Sequence, residues 1–222
     1  MISIVPYGDS ALLVNFKQRI SKRILVQVTA YAEKARTMEG VRYVIPAFCS
    51  LTVVYDRSRI TYEELCSLLL EPISTTGTEI KTPPGRKVEV PVCYDAPYAL
   101  DMEEVERQTG KSAEAIIRAH LGREFHVYML GFMPGFTYLG DMPRGFSCQR
   151  RAEPRTRVPA GSVGLAGLQT ALYSFDTPGG WQIIGRTPVR LFDAEADPPN
   201  FLRPGDRVRF KRIRSDEFGV MS

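Results

Sequence analysis

Arg150, Arg151, Arg155 and Arg157 crowd the segment QRRAEPRTRVP, where the only acid is Glu153. Guanidiniums this close repel one another unless an anion or carboxylates compensate, and their planar forks suit bidentate contact with carboxylate or phosphate. Arg155 and Arg157, two residues apart, share one face of an extended chain. They lead into a glycine-rich run, 158–188, in which Gly161, Gly164 and Gly167 recur at every third residue. Glycine lets backbone N–H groups come close to a ligand, or simply permits tight bends in a barrel. Arg186, in GRTP, closes the set from the next turn. The expectation is an anion-binding cleft in which Arg155, Arg157 and Arg186 face Gly161, Ser162, Gly164, Gly167 and Gln169. A solvated basic rim above glycines that only bend strands is the alternative.

Other chemistries fit less well. Ser162 lies in AGSVG, one residue away from the nucleophile-elbow pattern, but an elbow needs a strand–turn–helix context and a later histidine. Both histidines, His120 and His126, precede it, and the order His126, Asp141, Ser162 is weak support for a triad. A turn serine is the expectation, and no catalytic residue is assigned. The glycine spacing matches neither dinucleotide nor P-loop fingerprints. In GFMPGFTYLGDMP, Phe132, Phe136 and Tyr138 sit on turns around Pro134; with the single tryptophan, Trp181, they are expected to wall a pocket or an interface. Cys49, Cys66, Cys93 and Cys148 are scattered, with no C-x-x-C pair, and are expected to be reduced thiols rather than metal ligands.

Two textures of sequence must position these residues. In the first eighty, ALLVNF (11–16) is a short strand, and Ile20, Ile24, Val28, Tyr31 and Ala35 mark one face of a helix. VRYVI and SLTVVYD are strands. Thr61 and Glu64 form a capping box that opens a second helix, and TEIK (78–81) offers one more strand. The order βαββα(β) predicts a ferredoxin-like split βαβ domain over 1–81. KTPPGRK then supplies a linker, 82–87. Beyond it KVEVPVCY is a strand, and Asp101 and Ser112 are expected to N-cap two short helices. From Phe125 onward, apolar runs punctuated by Gly and Pro predict a mainly-β domain over 88–222, closed by the half-wet strand DRVRFKRIR.

The chain of 222 residues is 44% hydrophobic and 24% charged, close to average globular usage, so a buried core is expected. A net charge of +4 is too mild to point to nucleic acid. No apolar run approaches the ~20 residues of a membrane span. The opening MISIVPYGDS lacks a basic region followed by an apolar stretch, so no signal peptide is expected, and a cytoplasmic location is expected.

The longer motifs YMLGFMPGFTYLG, PRTRVPAGSVGLAGLQTALYS, TPGGWQIIGRTP and LRPGDRVRF, with YGDSALLVNF and EGVRYVIPAFCSLTVVYD before them, resemble the allophanate-hydrolase-subunit-1 family. Its members include the B subunit of bacterial ATP-dependent 5-oxoprolinase and the Kip-type inhibitor of a sensor histidine kinase. The resemblance implies a cyclophilin-like β-barrel after the small α+β domain. It also implies work with a second cyclophilin-like protein, the C subunit, and with an A subunit, to hydrolyse 5-oxoproline to L-glutamate at the expense of ATP and its Mg. Kinase inhibition, or a carboxyltransferase-like part in urea and allophanate metabolism, is the alternative the family offers. No active-site motif for prolyl isomerisation accompanies the barrel.

Overall fold

Alternation in ALLVN buries Leu12 and Val14 and turns the residues between them outward, and SLTVVY repeats the pattern with Leu51, Val53 and Tyr55. In the computed structural model, which describes residues 2–71 and 85–221, these strands belong to the first of two compact units, Met1–Gly85 and Arg86–Ser222. The first unit contains β1 (Ser3–Pro6), β2 (Ala11–Asn15), α1 (Lys22–Arg36), β3 (Val41–Pro46), β4 (Ser50–Tyr55) and α2 (Tyr62–Leu70). The sheet order is β1-β2-β4-β3, with every neighbour antiparallel. The side chain of Ser21 caps α1, whose Ile24, Val28, Ala32 and Ala35 lie in the same core as the inward strand residues. Ile20 lies outside this helix and is exposed. The capping box of Thr61 and Glu64 forms at α2.

Between β2 and β3, connected through α1, lies β4, antiparallel to both. The edge beside β2 is held by β1, an N-terminal strand of four residues, too short to show a period in the sequence. The ferredoxin-like expectation placed its last strand after the second helix instead. That segment, TEIK, and the linker positions 82–84 lie outside the described residues.

The second unit begins with β5 (Lys87–Cys93), α3 (Met102–Thr109), α4 (Ala113–Leu121), β6 (Glu124–Leu130) and β7 (Thr137–Gly140). Then follow β8 (Arg155–Val158), β9 (Ser162–Ala166), β10 (Gln169–Leu172), β11 (Thr177–Gly179), β12 (Gln182–Arg186), β13 (Arg207–Ile213) and α5 (Ser215–Met221). Seven of these strands close a barrel in the order β10-β7-β6-β13-β5-β12-β9, while β8 and β11 pair as a separate ribbon. Val92, Phe125, Leu139, Leu165, Ile184 and Phe210 are among the buried residues that fill the barrel core. As expected, β13 alternates buried Val208 and Phe210 with exposed Arg209 and Lys211.

Two buried polar groups brace this barrel. His120 of α4 accepts at Nδ1 from the Tyr94 hydroxyl (2.7 Å) and lies 3.1 Å from Thr170 Oγ1 through Nε2. The Thr170 hydroxyl spends its proton on the Gly164 carbonyl at 3.1 Å, so His120 donates from Nε2 and the ring is neutral with both nitrogens used. Burial holds its pKa down at about 3. Asp206, fully buried in the PGD turn, accepts from the Arg86 guanidinium and from the backbone N–H groups of Arg86 and Arg203. Ser112 caps α4, but Asp101 makes no side-chain cap bond at α3. The expected cap role of Asp101 fails because its carboxylate is turned elsewhere.

Candidate functional site

Strand period sets one layer of aromatic side chains outside the barrel. Leu139 faces the core, so Tyr138 beside it on β7 faces out, opposite Ala171 of β10. Gly164 on β9 faces out next to Ala171 and Ile183. A Cβ at Gly164 would lie 3.0 Å from Trp181 Cβ and 3.3 Å from Tyr173, so glycine is what lets these rings close over the strand. Phe136 is the hub: its ring centroid lies 4.7 Å from Tyr138, 4.8 Å from Tyr173, 6.4 Å from Trp181 and 5.4 Å from Phe132. Tyr138 and Trp181 are 5.9 Å apart.

The structure thus brings the expected wall residues Phe132, Phe136, Tyr138 and Trp181 together. It differs over their exposure. Phe136 is 1% exposed and forms a core of its own with Val158, Ala166, Ala171 and Ile183, whereas Phe132 is 66% exposed at a φ of +74°. Pro134 is exposed, and its carbonyl accepts from the Ser174 hydroxyl at 2.5 Å. Tyr173 joins the cluster unannounced, with burial pushing its hydroxyl up to about 12.

The arginines are sorted between carboxylates. Arg155 makes a two-pronged bond to Asp101, 2.7 Å at each oxygen, and Arg151 adds another at 2.9 Å. Asp101 also accepts from the Ile183 N–H at 2.7 Å, which ties the start of α3 to β12. Arg157 instead pairs with Asp176, which also accepts from the Ala160 N–H at 2.7 Å. That N–H, first, and then Arg157 hold the Asp176 carboxyl below its usual range. Arg186 donates to the Ala160 carbonyl at 2.7 Å and lies over the Phe218 ring. Arg157 and Arg186 are therefore gathered around Asp176 and Ala160, and Arg155 is bonded apart from them. The shared face expected for Arg155 and Arg157 is broken by an irregularity in register: Val158 pairs with Thr177, but Arg155 pairs with Gly179. Arg150 has no acid partner among the described residues; its guanidinium lies 5.5 Å above the Trp181 ring.

The glycine run is mostly barrel strand. Gly161, at φ +81°, leaves no room for a Cβ against the Thr187 carbonyl; its N–H is bonded to the Tyr173 carbonyl, and that of Gly167 to the Cys148 carbonyl. These N–H groups are thus already used, and they do not form an open cradle for an anion. Ser162 is the first residue of β9, 1% exposed, followed by a hairpin rather than a helix. Gln169 lies on the outer face with Tyr138, and its buried Nε2 has no acceptor among the described residues. The four cysteines are free thiols. Among the described residues no group of three His, Cys, Asp or Glu could hold a metal, and no helix is long and apolar enough to cross a membrane.

Residues 2–202 match the family model for the carboxyltransferase domain, subdomain C and D. The chain is 39% identical to the 5-oxoprolinase B subunit of Bacillus subtilis (strain 168), over 95% of this chain and 92% of that protein. It is 36% identical to the 5-oxoprolinase B subunit of Escherichia coli O157:H7, over 91% of this chain and 92% of that one. Among solved structures, TTHA0988 superposes with a TM-score of 0.80 at 34% identity over 92% of this chain, which spans 40% of the TTHA0988 chain. With a match across nearly its whole length, the chain belongs to the carboxyltransferase subdomain C and D family, to which allophanate-hydrolase subunit 1 is akin.

Proposed function

We propose that this chain is the B subunit of a multi-subunit, ATP-dependent 5-oxoprolinase, which opens 5-oxoproline to L-glutamate. The observation that carries this reading is the 36% to 39% identity to proteins of that name over more than nine-tenths of both partners. In this reading the chain is not an enzyme by itself. It acts in the cytoplasm with the A and C subunits.

The reaction defines what a binding subunit must offer. A five-membered lactam is a stable amide, so its carbonyl oxygen must be made a better leaving group, and negative charge gathers around the substrate as this happens. Fixed cations and donors aimed at that charge lower the barrier. The outer face of the barrel has groups of this type: Arg157 and Arg186 around Asp176, Arg150 over Trp181, and Gln169. The glycine run does not offer a nucleotide cradle, because the Gly161 and Gly167 N–H groups are already bonded to the Tyr173 and Cys148 carbonyls. ATP is therefore assigned to another part of the complex. The exposed Phe132 and Pro134 are assigned to contact with the C subunit, since aromatic residues are favoured in interface centres.

The test is reconstitution. The chain, mixed with the A and C subunits, should give 5-oxoproline-dependent ATP cleavage and glutamate release, both lost when this chain is left out. Activity that is equally fast without the chain would remove the assignment.

A further inference from the structure

Of the arginines in QRRAEPRTRVP, three are neutralised by acids and one is not. Arg151 and Arg155 are bonded to Asp101, and Arg157 to Asp176. Arg150 is exposed, is paired with no acid among the described residues, and lies over the only tryptophan in the chain, 5.5 Å from its ring centroid. A cation–π contact with an indole uses none of the guanidinium N–H groups, so the fork remains open to a carboxylate. Tyr138 lies 5.9 Å from the same indole, and Arg150 acts against burial in setting the affinity of both Tyr138 and Tyr173 for their protons. A second observation points the same way. Gln169 carries a buried Nε2 donor with no acceptor among the described residues, on the outer face that also holds Tyr138. Such an unmet donor costs free energy until a carbonyl or carboxylate oxygen reaches it.

We infer that Arg150, held over Trp181, binds the carboxylate of the cyclic amide substrate, with Tyr138 beside the ring and the Gln169 amide as a further donor. This rests on the reading of the chain as part of a 5-oxoprolinase. It assigns substrate capture to an arginine outside the cluster of Arg157 and Arg186. It also gives the single tryptophan a role: its indole holds the guanidinium in place.

The experiment uses the complex reconstituted with the A and C subunits, and measures ATP cleavage against 5-oxoproline concentration. Arg150→Ala should raise KM for 5-oxoproline more than tenfold while kcat stays within about twofold, because the lost contact is made in the bound substrate and the transition state alike. Arg150→Lys keeps the charge but loses the fork, and should recover part of the loss. Arg107→Ala, which removes an exposed arginine paired with Glu104, should leave both constants unchanged. Co-purification of each variant with the partners reads assembly. A wild-type complex with no 5-oxoproline-dependent turnover would sink the underlying reading and the inference with it. An active wild-type complex in which Arg150→Ala keeps its KM, loses only kcat, or fails to assemble would overturn the inference and leave the reading standing.

Discussion

Asp101 shows how one carboxylate changes the meaning of neighbouring charges. From the spacing alone, Arg155 and Arg157 are twins on one strand face. In the fold, Asp101 draws Arg155 and Arg151 inward and leaves Arg150 the unpaired member. The acid could not be found by proximity in sequence, because it lies 50 and 54 positions before these arginines and presents itself as a helix cap. Removing it should be costly. Asp101→Ala orphans the Ile183 N–H and two guanidiniums; the expected loss is about 2–3 kcal/mol, less than for a fully buried pair because Arg151 and Arg155 keep some access to water. Urea unfolding measures this, and a loss under ~0.5 kcal/mol would show that the cluster is ornamental. Phe136 and Phe132 make a matched pair of another kind. Phe136→Ala empties the hub of a buried ring cluster and should cost roughly 3–5 kcal/mol. Phe132→Asp, on an exposed side chain, should leave the unfolding midpoint nearly unchanged while weakening co-purification with the C subunit. Equal complex formation by Phe132→Asp and wild type would take that surface out of the interface.

At the scale of elements, what was legible follows from which forces are local. Capping by Ser112 and by Thr61 with Glu64, and the alternation of β13, depend on near neighbours, and all are present. The ribbon of β8 and β11, the extra strand β1 and the short helix α5 depend on long-range pairing or on very short segments, where period carries little signal. The glycine run reads equally as strand turns or as a ligand cradle until its N–H groups are traced to the Tyr173 and Cys148 carbonyls. The barrel interior offers a sharper test through His120. In the unfolded chain this imidazole titrates at about 6.5, and in the fold at about 3. Between those values the unfolded state binds a proton that the folded state refuses, so stability is lost as pH falls through this window, by ~1.4 kcal/mol per pH unit from this one group. Unfolding free energies at pH 7 and pH 5 should differ by more in the wild type than in His120→Gln. Parallel pH profiles for the two proteins would show that the imidazole is not the group responsible.

At the scale of the whole molecule, the division near residue 85 can be argued from the bonds made by the described residues on either side of it. Arg86 belongs to the barrel unit, since its N–H and guanidinium are bonded to the buried Asp206, and its carbonyl accepts from the Arg207 N–H at 2.8 Å. On the other side, α2 ends at Leu70 with its last bonds made within the first unit, including Lys34 to the Leu68 and Glu71 carbonyls. The sequence between, with its Pro-Pro-Gly and flanking basic residues, is of the kind proteases enter at domain boundaries. Arg86 must release a buried carboxylate before its backbone can enter a protease. Limited trypsinolysis of the wild type should therefore cut slowly after Arg86, and the barrel fragment should keep Trp181 and its native fluorescence. Asp206→Asn removes the reason for that delay. It should speed cleavage after Arg86 severalfold, and lower the unfolding temperature of the barrel unit while that of the first unit stays fixed. Early cleavage within the barrel strands of the wild-type protein, or an unchanged rate of cleavage after Arg86 in Asp206→Asn, would mean that the boundary is not held by this carboxylate.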